Sequence, residues 1–281
     1  MTMSNKPATD QSPMLSATVV LHHSPLTQLQ AMITSLDKAA GLLGAHLPLY
    51  LVDQSQSAAY SQAVQAMLRK APSDSLLQLH YIARVTNDGY GAGHNAVLDS
   101  VLGHYHLILN PDVELPESAL VQVMDNLRDH PEVAIMAPRA ASEMGDEEHL
   151  AKRYPSVLVL FLRALCFAPL KRCFSRQLAL YELRDLPDEG GLQDVPLLSG
   201  CCMIVRSDAL RAVGGFNEHF FMYFEDYDLC MRLASKGRVV RDTRVRIVHH
   251  GGGAARKGLR HIIWFLSGGF RFFQIWGWRW V

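Results

Sequence analysis

At 281 residues, 49% of them hydrophobic, the chain is long enough to bury one large core. Its 27 Lys and Arg balance 27 Asp and Glu, so net charge gives no support to a nucleic-acid partner. Five cysteines (Cys166, Cys173, Cys201, Cys202 and Cys230) contain no CxxC pair. That excludes the common zinc motifs and predicts small buried thiols in a reducing, cytoplasmic compartment.

The first residues lack the basic-then-apolar order of a secretory signal and are expected to be a disordered lead-in over 1–16. Residues 17–22 (ATVVLH) predict a strand. Leu29, Met32, Ile33, Leu36, Ala40 and Leu43 recur at helical spacing and predict a helix over 26–43. Further strands are predicted at 48–53 (PLYLVD), 77–85, 105–109 (YHLIL) and 133–137. Helices are predicted at 58–69, 93–102 and 116–130, the last with Pro116 and Glu117 in its first turn. This alternation implies a largely parallel sheet with helices on both faces, in which ligands sit at the carboxyl ends of the strands.

From 140 to 195 the pattern changes. An acidic loop (SEMGDEEH) and a basic amphipathic stretch read as an insertion with one or two helices. A strand follows at 197–206, then a short helix at 207–213 with Ser207 as N-cap. The GGFNE turn precedes a helix at 227–236 closed by Gly237, one or two short strands at 239–248, and an aromatic, basic tail. No run of about 18 uncharged apolar residues is present, so a spanning segment is not expected.

Several stretches carry chemistry. Asn110 and Asp112 follow YHLIL two apart and so face one point at a strand end. Oxygen ligands suit Mg²⁺ or Mn²⁺ that also binds substrate phosphates, although NPD is also a good turn. Asp53 ends a buried strand, where it can accept from a base or ribose or cap the next helix. The segment 87–95 (NDGYGAGHN) has three glycines that let backbone approach a ligand. Residues 220–228 (FFMYFEDYD) set Glu225, Asp226 and Asp228 among five aromatics. Burial there raises a carboxylate's proton affinity, as a general base requires; acids entering a helix also suit its dipole. His249 and His250 precede three glycines, where an imidazole can complete a metal site.

Taken in order, VDQSQS, NDGYGAGHN, LILNPDVEL, the run from SGCCMIVR through FFMYFEDYDLCMRL, and IVHHGGG resemble the inverting glycosyltransferase family 2. The likeness covers about residues 17–281. KRYPS in the insertion and SGGFRFFQIWGW in the tail resemble its bacterial rhamnosyltransferase-like branch. The resemblance implies a GT-A fold: α/β, with a Rossmann-like, mostly parallel central sheet, flanking helices, a helical insertion and a C-terminal amphipathic extension. The domain would span 17–255, with the insertion at 139–195 and the metal and acceptor part at 112–139 and 196–255; 256–281 would be a basic aromatic helix.

The same resemblance assigns roles. Asp53 would contact the nucleotide base. Asn87, Gly89, Gly91, Gly93, Asn95 and Asn110 would line the donor pocket. Asp112, with His249 or His250, would hold a divalent metal, Mg²⁺ or Mn²⁺. Asp226, in the pair with Glu225, would be the base, and Ser199, Gly200, Phe221, Tyr223 and Asp228 would face the acceptor. The partners implied are a nucleotide-diphosphate sugar and a glycan or polyprenyl-diphosphate acceptor.

From Leu229 to Val281 there are eleven Lys and Arg against one acid, Asp242. With Trp264, Trp276, Trp278 and Trp280, this basic end predicts peripheral contact with the inner face of a membrane. The competing reading is packing on the core or on a second copy in a homo-oligomer. Two other functions stand beside the transferase: a sugar nucleotidyltransferase, disfavoured by the lack of Gly, Lys or Arg over 17–27, and a non-catalytic sugar- or lipid-binding protein.

Overall fold

A computed structural model describes residues 13–100, 102–164, 168–187, 189–251 and 258–281. The chain opens with β1 (Leu15–Leu21), α1 (Leu26–Leu43), β2 (Leu47–Asp53), α2 (Ala58–Leu68) and β3 (Leu77–Ala83). Then come α3 (Tyr90–Asn95), β4 (Tyr105–Leu109), β5 (Val113–Glu114), α4 (Ala119–Asp129) and β6 (Val133–Ala141). Leu15 and Ser16 already lie buried in β1, so the lead-in is shorter than its expected 16 residues.

The apolar stripe read for α1 is the one that packs: Leu29, Met32, Ile33, Leu36 and Ala40 are buried. The helix stops at Gly44, whose left-handed backbone (φ 69°) returns its N–H to Ala40 and Gly41. Helix α3 differs from expectation. It begins at Tyr90 instead of 93, because Gly89 (φ 101°) turns the chain and the Tyr90 N–H donates to the Phe221 carbonyl at 3.0 Å. Helix α4 starts three residues late; Pro116 and Glu117 form a preceding turn, whose Pro116 carbonyl accepts the Ala119 N–H.

The insertion contains β7 (Glu147–Glu148), β8 (Ala151–Lys152), α5 (Val157–Ala164), α6 (Ala168–Cys173) and α7 (Ser175–Tyr181). Its helical segments α5, α6 and α7 fall where one or two helices were expected, residues 165–167 between the first two lying outside the described residues, and its acidic loop folds back as β7 against Ala140 and Ala141 of β6. Next come β9 (Leu192–Asp194), β10 (Leu197–Leu198), β11 (Cys202–Arg206), α8 (Ser207–Ala212), α9 (Glu225–Leu233), β12 (Arg238–His249) and α10 (Gly258–Trp276). The single strand expected at 197–206 is thus broken in two at residues 199–201. Ser207 lies inside α8, capped by Arg206, and its hydroxyl caps nothing.

The central sheet runs β3-β2-β1-β4-β11-β6-β12-β5. Strands β3, β2, β1 and β4 are mutually parallel, as are β6 and β12; β11 runs against both β4 and β6. One apolar layer joins the sheet to α1 and α4 through Leu29, Met32, Leu36, Leu120 and Leu127. The opposite layer joins it to α8 and α9 through Leu210, Leu229 and Leu233. The sheet is therefore sealed on both faces, and its strand ends are left to carry function.

Helix α10 packs one face onto the domain, with Phe272 and Phe273 buried against Phe220, Phe224 and Leu160. The Trp276 indole donates to the buried Asp228 carboxylate at 3.0 Å, and Arg232 binds the other Asp228 oxygen at 2.8 Å. Part of the basic excess of this end is engaged within the fold. Arg238 bridges Asp194 and Glu132, Arg244 contacts Asp242 and Asn126, and Arg241 contacts Gln193. Among the described residues no helix is long and apolar enough to cross a membrane. Cys201, Cys202 and Cys230 are buried free thiols, whereas Cys173 is exposed; Cys166 lies outside the described residues.

Replacing Trp276 by Phe keeps the packing and removes one donor from a buried carboxylate. It is expected to cost about 1.5–3 kcal/mol, measured as a lower midpoint in urea with an unchanged slope.

Candidate active site

The break at residues 199–201 ties several elements together at the strand ends. Cys201 still continues the register of β11 with β4, and the two backbone groups of Gly200 turn out of it to hold other elements. The Gly200 N–H donates to Asp226 Oδ2 at 2.9 Å. The Gly200 carbonyl accepts the Tyr90 hydroxyl at 2.5 Å. The Cys201 carbonyl accepts the Asn110 N–H at 2.8 Å. Strand β4, helix α3 and helix α9 are thereby tied to one turn, and Asp112 and Asp226 both lie near enough to Tyr90 and Cys201 to raise the pKa of each.

Asp226 enters α9 after two residues with left-handed backbones, Tyr223 (φ 71°) and Phe224 (φ 68°). Its other oxygen, Oδ1, accepts the Tyr227 N–H at 2.8 Å. Burial pushes the Asp226 carboxyl up to about 6, against the pull of these backbone donors. Glu225 beside it is only 6% exposed, and its Oε2 has no hydrogen-bond partner. Burial first, and the adjacent Asp226 second, raise its carboxyl well above the ordinary range. Tyr90 is held neutral by burial and by Cys201, Glu225, Asp226 and Asp112 around it.

Asp112 lies just before β5. His249 Nε2 stands 3.5 Å from Asp112 Oδ1, and His249 Nδ1 meets Glu148 Oε2 at 2.6 Å. Burial alone would lower the imidazole's pKa; contact with Asp112 and Glu148 raises it instead. A carboxylate–histidine pair backed by a second carboxylate suits a divalent cation. Among the described residues no three His, Cys, Asp or Glu side chains form a complete cage. Such an ion would thus complete its shell with substrate phosphates and water. A Cβ on Gly251 would sit 2.5 Å from Asp112 Oδ2 and 2.6 Å from His249 Nε2, so the pair needs glycine there. His250 turns away to Glu114 at 2.7 Å and is not part of the pair. Gly252 and Gly253 lie outside the described residues.

Residues 28–214, more than half of the chain, match the glycosyl transferase family 2 sequence family. The chain belongs to that family. It is 27% identical over 254 residues to the N-acetylglucosaminyl-diphospho-decaprenol L-rhamnosyltransferase of Mycobacterium tuberculosis, covering 86% of this chain and 76% of the relative. A low-salt glycan biosynthesis hexosyltransferase, Agl10 of Haloferax volcanii, is 25% identical over 55% of this chain and 46% of its own.

Among solved structures, GalNAc-T7 with UDP, GalNAc and Mn²⁺ superposes with TM-score 0.63 at 12% identity, over 95% of this chain and 48% of that one. The mannosyltransferase PcManGT from Pyrobaculum calidifontis, in complex with GDP-Man and Mn²⁺, gives 0.59 at 15% identity, over 93% and 65%. The chain thus spans about half the length of the first and two thirds of the second. These likenesses show the GT-A fold, and the chain is a glycosyltransferase.

The transferase uses several of the expected donor residues as scaffold. Asn95 clips the GGFNE turn, accepting the Phe216 N–H and donating to the Phe216 carbonyl and Glu218. A Cβ on Gly91 would meet Phe216 at 2.7 Å, and one on Gly93 would meet Val20 at 2.6 Å, so close packing explains both glycines. Gly89 sits against the Phe221 backbone and accepts from Gln54 Nε2 at 2.9 Å, while Asn87 caps the Gly89 N–H at 3.2 Å. Asp53 is 2% exposed and receives the Ser55 N–H, the Ser61 hydroxyl and the Tyr81 hydroxyl. Burial pushes its pKa up, but those bonds outweigh it and lower the carboxyl.

On the acceptor side, Phe221 rests on Trp264 with centroids 4.7 Å apart, and the Tyr223 hydroxyl meets His261 at 2.8 Å. Ser199 donates its N–H to the Leu150 carbonyl at 2.9 Å. Asp228 does not face the cleft: it is 1% exposed and holds Arg232 and Trp276, because its place on α9 points it toward α10. Sequence reasoning missed Tyr90 and Glu148. Tyr90 sat inside a motif read for its glycines; Glu148 sat in a charged loop with no local signal.

If Asp226 is the base, kcat/KM falls as pH drops through about 6, because the raised carboxyl must lose its proton to act. The Glu225–Asp226 pair titrates together, so the acid limb reports the pair. A pH profile of kcat/KM checks this; a flat profile down to pH 4.5 contradicts it.

Proposed function

We propose that the protein is an inverting sugar transferase that moves L-rhamnose from dTDP-rhamnose to a polyprenyl-diphosphate-linked glycan in cell-surface polysaccharide synthesis. The observation that carries the reading is the convergence of Asp112 and Asp226 on one backbone turn, linked through Asn110, Cys201 and Gly200. The donor and acceptor classes draw support from the rhamnosyltransferase relative, whose own name states a diphospho-decaprenol acceptor.

In this reading the acceptor hydroxyl lies over Asp226. Its oxygen attacks the anomeric carbon from the side opposite the nucleotide diphosphate. The new C–O bond forms as the bond to the diphosphate oxygen breaks, and the hydroxyl proton passes to Asp226. One displacement inverts the centre, turning a β-L-rhamnosyl donor into an α-L-rhamnoside. The Gly200 and Tyr227 N–H groups hold the carboxylate in place while burial keeps it basic. Asp112 and His249 would hold a divalent cation, which would supply positive charge to neutralise the leaving diphosphate. Asp53, Asn87, Gly89 and Asn110 stand at the strand ends on the donor side, and Phe221 with Tyr223 flanks the acceptor.

The same reading places the outer face of α10 on a membrane carrying the acceptor. Leu259, Ile262, Ile263, Leu266 and Phe270 form one exposed apolar stripe at helical spacing. Arg260 and Arg271 lie to one side of it, which suits an anionic bilayer surface. The tryptophans contribute less than the sequence implied. Trp264 packs on Phe221, Trp276 binds Asp228, and Trp278 stacks on Phe273, leaving Trp280 the most exposed at 67%.

Asp226→Asn is expected to lower kcat about 10²–10⁴-fold with donor affinity kept; transfer from dTDP-rhamnose to a polyprenyl-diphosphate acceptor is the assay. Retained turnover in this variant defeats the assignment. For the membrane face, the double substitution Ile263→Gln/Leu266→Gln touches no buried contact. It should weaken co-sedimentation with anionic vesicles at least about tenfold, and unchanged binding counts against the bilayer.

A further inference from the structure

The insertion contains a cluster of cations that the chemistry above does not use. Glu182 stands at its centre. Arg184 contacts it at 2.6 Å, Arg163 at 3.1 Å and Lys152 at 3.9 Å. Three cations thus share one carboxylate. The neighbouring Arg153 has its own partner, Asp185, and Arg139 has Glu147.

Lys152 is the telling member. Its side chain is 9% exposed, yet its ammonium makes no hydrogen bond to any described group, and its ion pair with Glu182 is long. The stem is buried, and the described partners of the ammonium are the distant Glu182 carboxylate and the face of the Tyr181 ring. The position is rigid, because β8 pairs Lys152 with Leu197 just before the 199–201 turn. Lys152 and Arg163 both sit over the Tyr181 ring, at 5.6 and 5.5 Å from its centroid. The Tyr181 hydroxyl meets that of Tyr227 at 2.8 Å, and Tyr227 follows Asp226 in α9.

We infer that Lys152, Arg163 and Arg184 form a second phosphate-binding locus beside the base, separate from the Asp112–His249 pair, that takes the diphosphate of a substrate. Guanidinium forks and an ammonium are the groups that bind phosphate oxygens. An anion there brings Lys152 closer acceptors than the Glu182 oxygen at 3.9 Å. Burial, and then the Arg163 charge, lower its pKa to about 7, and a bound anion reverses that tendency. The inference rests on the transferase reading for its placement in catalysis. Two substrates in that reading carry a diphosphate: the lipid carrier of the acceptor and the nucleotide of the donor.

The test is calorimetric titration of the full chain with inorganic pyrophosphate and with farnesyl diphosphate, in EDTA. Wild type is expected to bind both, and Lys152→Met and Arg163→Gln to weaken each at least about fivefold. Urea midpoints close to wild type establish that both variants fold, and Arg163→Lys should recover part of the loss. No binding in wild type, or equal affinity in both variants, overturns the locus. Rising dTDP that leaves farnesyl diphosphate bound assigns it to the lipid carrier; displacement assigns it to the donor. These titrations need no sugar transfer, so the locus and the transferase reading can fail separately.

Discussion

The site depends on the interruption of one strand at residues 199–201. A continuous strand would direct the backbone groups of Gly200 into the ladder. Broken there, they reach Asp226 and Tyr90 instead, while Cys201 keeps the β4 register through Asn110. Gly200 is required by space as well: a Cβ would lie 3.2 Å from the Tyr90 ring and 3.4 Å from Asp226. One local irregularity therefore fixes the spacing between the edge carried by the parallel strands and the acid edge carried by α9.

The second organising constraint is electrostatic. Asp226 and Glu225 are raised by burial, whereas Asp53 is lowered by three donors around it. Burial acts on both aspartates; at Asp53 the Tyr81, Ser61 and Ser55 donors outweigh it, and at Asp226 the backbone donors do not. Divergent proton affinities among nearby acids separate a group that can accept a proton from one that only positions backbone.

Much of this was legible in the sequence. The strand–helix alternation through β6 follows from apolar periodicity, and α1 fell on its predicted bounds because its stripe and its closing glycine agree. The acids at 112 and 226 were visible because their neighbours were unusual: a strand end for one, a dense aromatic run for the other. What stayed hidden was non-local. The run 197–206 signals its break only through Ser199-Gly200, a turn dipeptide set between apolar residues that together read as one strand. Asp228 reads like its neighbour Asp226, yet a two-residue step on a helix turns it toward Trp276. The glycines of 87–95 suggest a ligand loop, but their neighbours Phe216, Phe221 and Val20 come from distant parts of the chain. Lys152 gave no signal because its burial depends on pairing with Leu197.

The indole that anchors Asp228 lies 48 residues further along the chain. During synthesis, α9 is made before that partner. Until α10 arrives, this acid-rich helix has water rather than aromatic side chains against one flank, and the carboxylates beside it stay solvated and weakly basic. Chemical competence is therefore acquired late in the life of the nascent polypeptide, after most of the sheet can already have formed.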